Sequence, residues 1–178
     1  MRLGLIFVAA TLAAQPPSDE SLAPFLPAPQ IIVDRMLESA RLKPGEVVYD
    51  LGAGDGRILI TAAQKYRARA IGVELMESLF RNTVRRITSL GLDTQVKMIH
   101  GNAMNVDLSP ADVVTVFLLT SSNERLKPNF EKYLKPGARV VSYAFEIPGW
   151  EAARVETVQL EGRVHNIYVY EIQSKKKK

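Results

Sequence analysis

The spacing of apolar residues changes along the chain, and each spacing predicts an element. Ile32, Val33, Met36, Leu37 and Ala40 recur at i, i+1, i+4, i+5 and i+8, which predicts an amphipathic helix over residues 31–40. Lys43-Pro44-Gly45 turns the chain, and residues 46–51 (EVVYDL) predict a short buried strand. A helix is expected near 57–65 and a second strand over 69–74. Residues 76–90 predict a helix that stops at Gly91. A third strand is expected over 95–99. Residues 112–119 (DVVTVFLL) form a nearly continuous apolar run, as a strand covered on both faces should. A helix over 123–134 would carry Pro128 near its first turns, and 138–143 predicts a fifth strand. Beyond Trp150 the period shortens to two. Residues 154–160 and 165–172 then flank Glu161-Gly162 as a β-hairpin.

Strands that alternate with helices require a parallel sheet with right-handed crossovers. The expected fold is therefore α/β, a Rossmann-like three-layer sandwich. Its seven-stranded, mostly parallel sheet ends in an antiparallel hairpin. One domain is expected over 31–172, preceded by a Pro-rich lead-in at 16–30 that holds five prolines and followed by a lysine tail at 173–178.

Residues 1–15 (MRLGLIFVAATLAAQ) look like a signal. Arg2 is the short positive region, and Leu3 to Ala14 gives 12 uncharged, mostly apolar residues. Cleavage would fall after Ala13 or Ala14. The stretch is too short for the ~20 residues that span a bilayer. Export or membrane association through the N-terminus is the expectation.

Charge changes the picture less than it first promises. The chain has 178 residues and a formal net charge of +4, from 23 Lys+Arg against 19 Asp+Glu. Lys175 to Lys178 supply that excess, and without them 19 basic residues balance 19 acidic ones. A neutral body makes a nucleic-acid partner unlikely in this reading. The Arg81, Arg85, Arg86 group is expected to be a solvated helix face. With no cysteine there is no disulfide, thiolate nucleophile or Cys-type zinc site. With only His100 and His165 a His-rich metal site is not expected, and His100 reads as a strand-end residue rather than a base.

The chemistry is advertised at Asp50-Leu51-Gly52-Ala53-Gly54-Asp55-Gly56-Arg57, where a strand meets a glycine-rich turn and then a helix. Glycines let the backbone turn tightly and come close to a ligand. In open α/β sheets this strand end is where ligands bind. Glu74, at the end of the second strand, can accept two hydrogen bonds from ribose hydroxyls. The dinucleotide fingerprint G-x-G-x-x-G would need glycine where Arg57 stands, and no Walker lysine follows. Asp50 and Asp55 place negative charge around the loop. That suits a ligand with a cationic amino-acid portion, such as a sulfonium carrying an α-amino group, better than a pyrophosphate.

On these motifs the chain resembles the class I, seven-strand S-adenosylmethionine-dependent methyltransferases over roughly residues 24–172. VVYDLGAGDGRI is similar to the family's first motif and IGVE to its second. Gly101-Asn102-Ala103 resembles the adenine-contacting loop, and DVVTVFLL the fourth-strand motif that borders the methyl group. A narrower resemblance, to small protein lysine methyltransferases of mitochondrial inner-membrane proteins and their bacterial relatives, rests on Pro27-x-Pro29, on Asn123 with Leu126 and Pro128, and on RVVSYAFEIPGW. Ala28 stands where Ser or Thr is usual there, Thr120 where Pro is common, and Tyr143 where His is common.

The resemblance implies S-adenosylmethionine as cofactor and assigns residues to it. Gly52, Ala53, Gly54 and Gly56, with Asp50, would receive the methionine portion, Glu74 the ribose, and Asn102 with Ala103 the adenine. Leu118 would border the methyl group, and Pro27 and Ala28 would close over the methionine end. Asn123 and Tyr143 are the catalytic candidates and Trp150 is a further substrate-side one. Asn123 reads equally well as a helix cap, and the two aromatics as packing residues. No Asn/Asp-Pro-Pro-Tyr/Phe follows the fourth strand, which disfavours exocyclic-amine methylation. The implied reaction is methyl transfer without a metal, to a protein side chain such as lysine. A small-molecule or RNA acceptor, and a non-catalytic nucleoside-binding protein, are the alternatives. Localisation stays open, because a signal implies export while this cofactor is expected mainly inside cells.

Overall fold

The computed structural model describes residues 22–174. The signal-like segment 1–15, the start of the lead-in and Lys175–Lys178 lie outside the described residues. Apolar periodicity becomes structure in chain order. These elements are α1 (Gln30–Ser39), β1 (Val47–Leu51), α2 (Arg57–Tyr66), β2 (Arg69–Glu74), α3 (Glu77–Ser89), β3 (Val96–His100), a 3₁₀ turn (Ala103–Asn105), β4 (Val113–Val116), α4 (Thr120–Tyr133), β5 (Arg139–Tyr143), β6 (Arg154–Leu160) and β7 (Arg163–Glu171).

The seven strands lie in the order β3-β2-β1-β4-β5-β7-β6. The first five pair in parallel, and β7 runs antiparallel between β5 and β6. β1 and β4 are buried along their whole lengths, which is why VVYDL and VVTV are almost purely apolar. Ile32 and Met36 of α1, Leu59 of α2 and Ile87 of α3 pack on one face with Val48 and Val141. Leu126 and Phe130 of α4 pack on the other with Tyr49, Val114, Val116 and Val140. The result is the expected three-layer sandwich. At the hairpin, Glu161 and Gly162 both take positive φ, 51° and 73°. Such a two-residue turn matches the twist of the flanking strands.

Several boundaries move for physical reasons. β4 ends at Val116, not at Leu119, because Phe117–Leu119 leave the ladder to turn into α4. That helix starts at Thr120, where the Leu119 carbonyl accepts from the Ser122 and Asn123 N–H groups. Pro128 is consequently mid-helix rather than in the first turns. β7 starts at Arg163, two residues earlier than the alternation suggested, because the tight turn lets pairing begin at once.

Candidate active site

The order β2-β1-β4 reverses direction at β1, and the chain leaves the carboxyl end of β1 into the glycine loop. Gly52 and Ala53 both donate to the Val73 carbonyl at 2.9 Å, so the loop is stitched to β2. Gly52, Gly54 and Gly56 all have positive φ. A Cβ at Gly56 would lie 2.5 Å from the Thr83 side chain, so this glycine lets α3 pack close to the loop. Thr83 in turn donates to the Gly54 carbonyl at 2.6 Å. Arg86 donates to the Asp55 carbonyl at 3.1 Å. Arg86 thus belongs to the loop's support, whereas Arg81 pairs with Glu77 and Arg85 with Asn82 on the exposed helix surface.

Two buried carboxylates face the cleft that opens here, and Asp55, also in its lining, is paired with Arg57. Glu74 is buried and accepts from the Gly54 N–H and the Met76 N–H, each at 2.8 Å. These two donors fix the carboxylate and leave its other lone pairs for a ligand. Asp50 is 3% exposed and accepts from Thr115 Oγ1 at 2.8 Å. Burial pushes its pKa up to about 7, against the pull of the Thr115 hydroxyl and with help from the nearby Glu74 and Asp55 charges.

The cleft brings together Pro27, Ala28, Asp50, Gly52, Ala53, Gly54, Glu74, Ala103 and Leu118. Its volume is about 100 Å³. Gly56 supports it from behind. Asn102 spends its side-chain oxygen on the Met104 N–H at 2.9 Å, capping the 3₁₀ turn. Residues the sequence did not single out also line it, notably Phe25, Leu75, Met76, Leu79 and Phe117. Leu75 and Met76 directly follow the Glu74 carboxylate, which is the signal that could have found them. Phe25 lies over the glycine loop, and a Cβ at Gly54 would be 2.5 Å from its ring. The lead-in that carries Phe25 is held at both ends. Ser122 donates to the Leu22 carbonyl, and Arg57, paired with Asp55 at 2.6 Å, donates to the Ala28 carbonyl.

The catalytic candidates stand outside this cleft. Asn123 is not a helix cap. It is the fourth residue of α4, fully buried, and its Nδ2 donates to Ser142 Oγ and to the Phe145 and Glu146 carbonyls at 3.1–3.2 Å. Tyr143 is buried behind Phe117, their ring centroids 4.3 Å apart. Trp150 packs on the opposite face against Phe130 and Tyr170 and donates to Glu131 at 3.1 Å. His100 ends β3, stacks on Phe80 and bonds the Leu75 carbonyl. Among the described residues no group of three His, Asp or Glu is placed to hold a metal ion.

The sequence profile of the ANTKMT methyltransferase domain matches residues 50–154, which include the glycine loop, Glu74 and Asn123. The chain belongs to this methyltransferase family. A protein-lysine N-methyltransferase of Saccharolobus islandicus (strain REY15A) is 46% identical to this methyltransferase over 150 residues, 84% of this chain and 93% of that protein. The adenine nucleotide translocase lysine N-methyltransferase of Mus musculus is 33% identical over 132 residues, 74% of this chain. The chain spans 57% of that mouse relative's length. A Salinibacter ruber structure described as an RNA methyltransferase, in complex with S-adenosyl-L-homocysteine, superposes with a TM-score of 0.79. It is 39% identical and covers 84% of this chain and 95% of its own. S-adenosylmethionine is the cofactor of this methyltransferase, and the cleft suits it. The loop is free of Cβ atoms at Gly52 and Gly54 where a ligand must approach, and two buried carboxylates face the same space.

Proposed function

We propose that this methyltransferase transfers a methyl group from S-adenosylmethionine to a lysine side chain of a protein. The observation that carries the reading is the 46% identity to a protein-lysine N-methyltransferase over nearly its whole length. The balanced charge of the body supports a protein over RNA, because phosphate binding needs unpaired basic side chains. Several candidates are already engaged: Arg35 with Glu38 and Glu156, Arg57 with Asp55, and Arg139 with Glu46.

The cofactor supplies a methyl carbon on a sulfonium, and its transfer is an in-line displacement. The protein's part is positioning, for which alignment is worth ~7–11 kcal/mol. Glu74, held by two backbone N–H groups, binds the ribose hydroxyls. Asp50 meets the cationic α-ammonium, which returns its buried carboxyl to the charged form. Met76 and Ala103 flank the adenine, and Pro27 and Ala28 cover the methionine end. Phe117 and Leu118, just past β4, wall the side from which the acceptor comes and exclude water.

The test incubates the full chain with tritiated S-adenosylmethionine and, separately, a library of lysine peptides and a pool of transcribed tRNA and rRNA. Label in the peptides, with methyllysine in their mass spectra, is expected. Glu74→Ala should weaken S-adenosylhomocysteine binding by about 100-fold, since two charge-assisted hydrogen bonds are lost. Label in RNA alone would overturn the lysine reading.

A further inference from the structure

The cleft is lined by three carboxylates and one cation. Asp50, Asp55 and Glu74 carry the acidic groups, and Arg57 is the single basic side chain among its described lining residues. Asp50 serves an ammonium and Glu74 a ribose, which leaves the positive group without a task in the cofactor. Arg57 is the first residue of α2, directly after Gly56 closes the glycine loop. Asp55 fixes its guanidinium from one side: Nε donates to Oδ1 at 2.9 Å and Nη2 to Oδ2 at 2.6 Å. Nη1 donates to the Ala28 carbonyl, so the guanidinium lies against the lead-in that covers the methionine end. Three of a guanidinium's five N–H groups are thereby spent, and one on each terminal nitrogen stays free. The side chain is 27% exposed, so ligand can reach it. Asp55 does not cancel the charge. Arg86 Nη1 lies 3.7 Å from the same Oδ2, so two guanidiniums share one carboxylate and the group keeps a net positive charge.

We propose that Arg57 receives the α-carboxylate of the cofactor and so selects ligands with an intact amino-acid end. S-adenosylmethionine carries an α-ammonium and an α-carboxylate on one carbon. The ammonium has Asp50. Without Arg57 the carboxylate would enter a space whose lining charges are all negative, and like charges repel most strongly where water is excluded. The free N–H groups of Arg57 offer it charge-assisted hydrogen bonds, which are stronger than those between neutral groups. Asp55 is the positioning residue. Its hold on Nε and Nη2 sets the plane of the guanidinium and keeps it from turning out to solvent. The bond from Nη1 to the Ala28 carbonyl ties this recognition to the cover over the same end of the ligand. A ligand that lacks the carboxylate keeps the ribose and adenine contacts but leaves the Arg57 group unanswered. Discrimination between the cofactor and its decarboxylated form thus falls on one side chain.

Calorimetry on the full chain compares S-adenosylhomocysteine with its decarboxylated analogue, which keeps the adenosine, the sulfur and the amine. The wild type should bind S-adenosylhomocysteine about 10–100-fold more tightly than the analogue. Arg57→Gln, which keeps an amide for the Ala28 carbonyl, should lower S-adenosylhomocysteine affinity by about that factor and leave the analogue within about threefold. Arg57→Lys keeps the charge but not the planar fork, and its affinity for S-adenosylhomocysteine should fall between those of the wild type and Arg57→Gln. Equal weakening of both ligands in Arg57→Gln would overturn the inference, since Arg57 would then act only by holding the loop and the lead-in. Unchanged S-adenosylhomocysteine affinity in that variant would overturn it too. A wild type that binds the two ligands equally would overturn it without any variant.

Discussion

The two halves of the sheet's carboxyl edge are built by different means. Around β1 and β2 the site is made largely from backbone groups that meet one another and the Glu74 carboxylate. Gly52 and Ala53 hang on the Val73 carbonyl, and the Gly54 N–H meets Glu74, all within residues 52–74. Around β4, β5 and β7 the site is made from side chains that meet across similar separations, 19 to 23 residues. Asn123 reaches Ser142, Phe145 and Glu146, and Tyr143 reaches His165. The first half repeats a geometry that any ligand of one kind needs. The second is free to vary with the acceptor, which suits loops and strand ends carrying specificity on a fixed scaffold.

The largest effect expected in the cofactor half is electrostatic. In the ligand-free protein the Asp50 carboxyl sits at about 7, far above the ordinary carboxylate value of 3.8, because it is buried. Between about pH 4 and pH 7 the folded chain therefore binds more protons at this site than the unfolded chain. Stability from Asp50 is present below pH 4 and is lost as pH rises towards 7. At 1.36 kcal/mol per pKa unit the loss is up to roughly 4 kcal/mol. Asp50→Asn should remove it. Calorimetric unfolding curves of the two proteins should diverge across that window, the variant gaining in relative stability as pH rises. Parallel curves would show that the carboxyl is not desolvated.

Asn123→Ala breaks the other half. The substitution takes the amide away from the part-buried Phe145 and Glu146 carbonyls, of which Phe145 keeps the Ser142 hydroxyl as donor. The expected cost is about 2 kcal/mol of stability in denaturant unfolding. If the halves are independent, KM for the lysine peptides rises several-fold and S-adenosylhomocysteine affinity stays within about twofold. A parallel drop in cofactor affinity would mean that the 142–146 turn also shapes the cleft, and the division into halves would be too sharp.

This division also explains what the sequence could say. The glycine loop, Asp50 and Glu74 were legible because a strand–turn–helix motif and a strand-end acid are local patterns. The sheet was legible because VVYDL and VVTV are almost purely apolar and the hairpin alternates. The cap reading of Asn123 fails because α4 starts three residues earlier than its polar pattern suggests, and an asparagine reads as a cap when its burial is unknown. The Tyr143–His165 bond was not legible at all. It depends on the register of β7 against β5, and register is a tertiary property. Gly72 hides in the same way. A Cβ there would lie 2.4 Å from Leu59 and 2.6 Å from Met98, a packing need that appears only when α2 and β3 flank β2.

The smallest effect tests the boundary between the halves, where the lead-in crosses the cleft. Phe25 is 46% exposed, yet its ring stands over Gly54, in the space that a cofactor approaching the glycine loop needs. The cleft's volume of about 100 Å³ is below the ~300–1,000 Å³ of ligand sites generally. A ring that swings aside would widen the cleft, while the Arg57 bond to the Ala28 carbonyl keeps the strap anchored. Phe25→Ala should raise the association rate of S-adenosylhomocysteine about 3–10-fold in stopped-flow fluorescence. Its dissociation rate should rise as well, because a covering ring is lost, so the equilibrium affinity changes less than tenfold. An unchanged association rate would place the ring outside the entry path. It would then make Phe25 part of the acceptor platform instead, on the far side of the boundary from the glycine loop it covers.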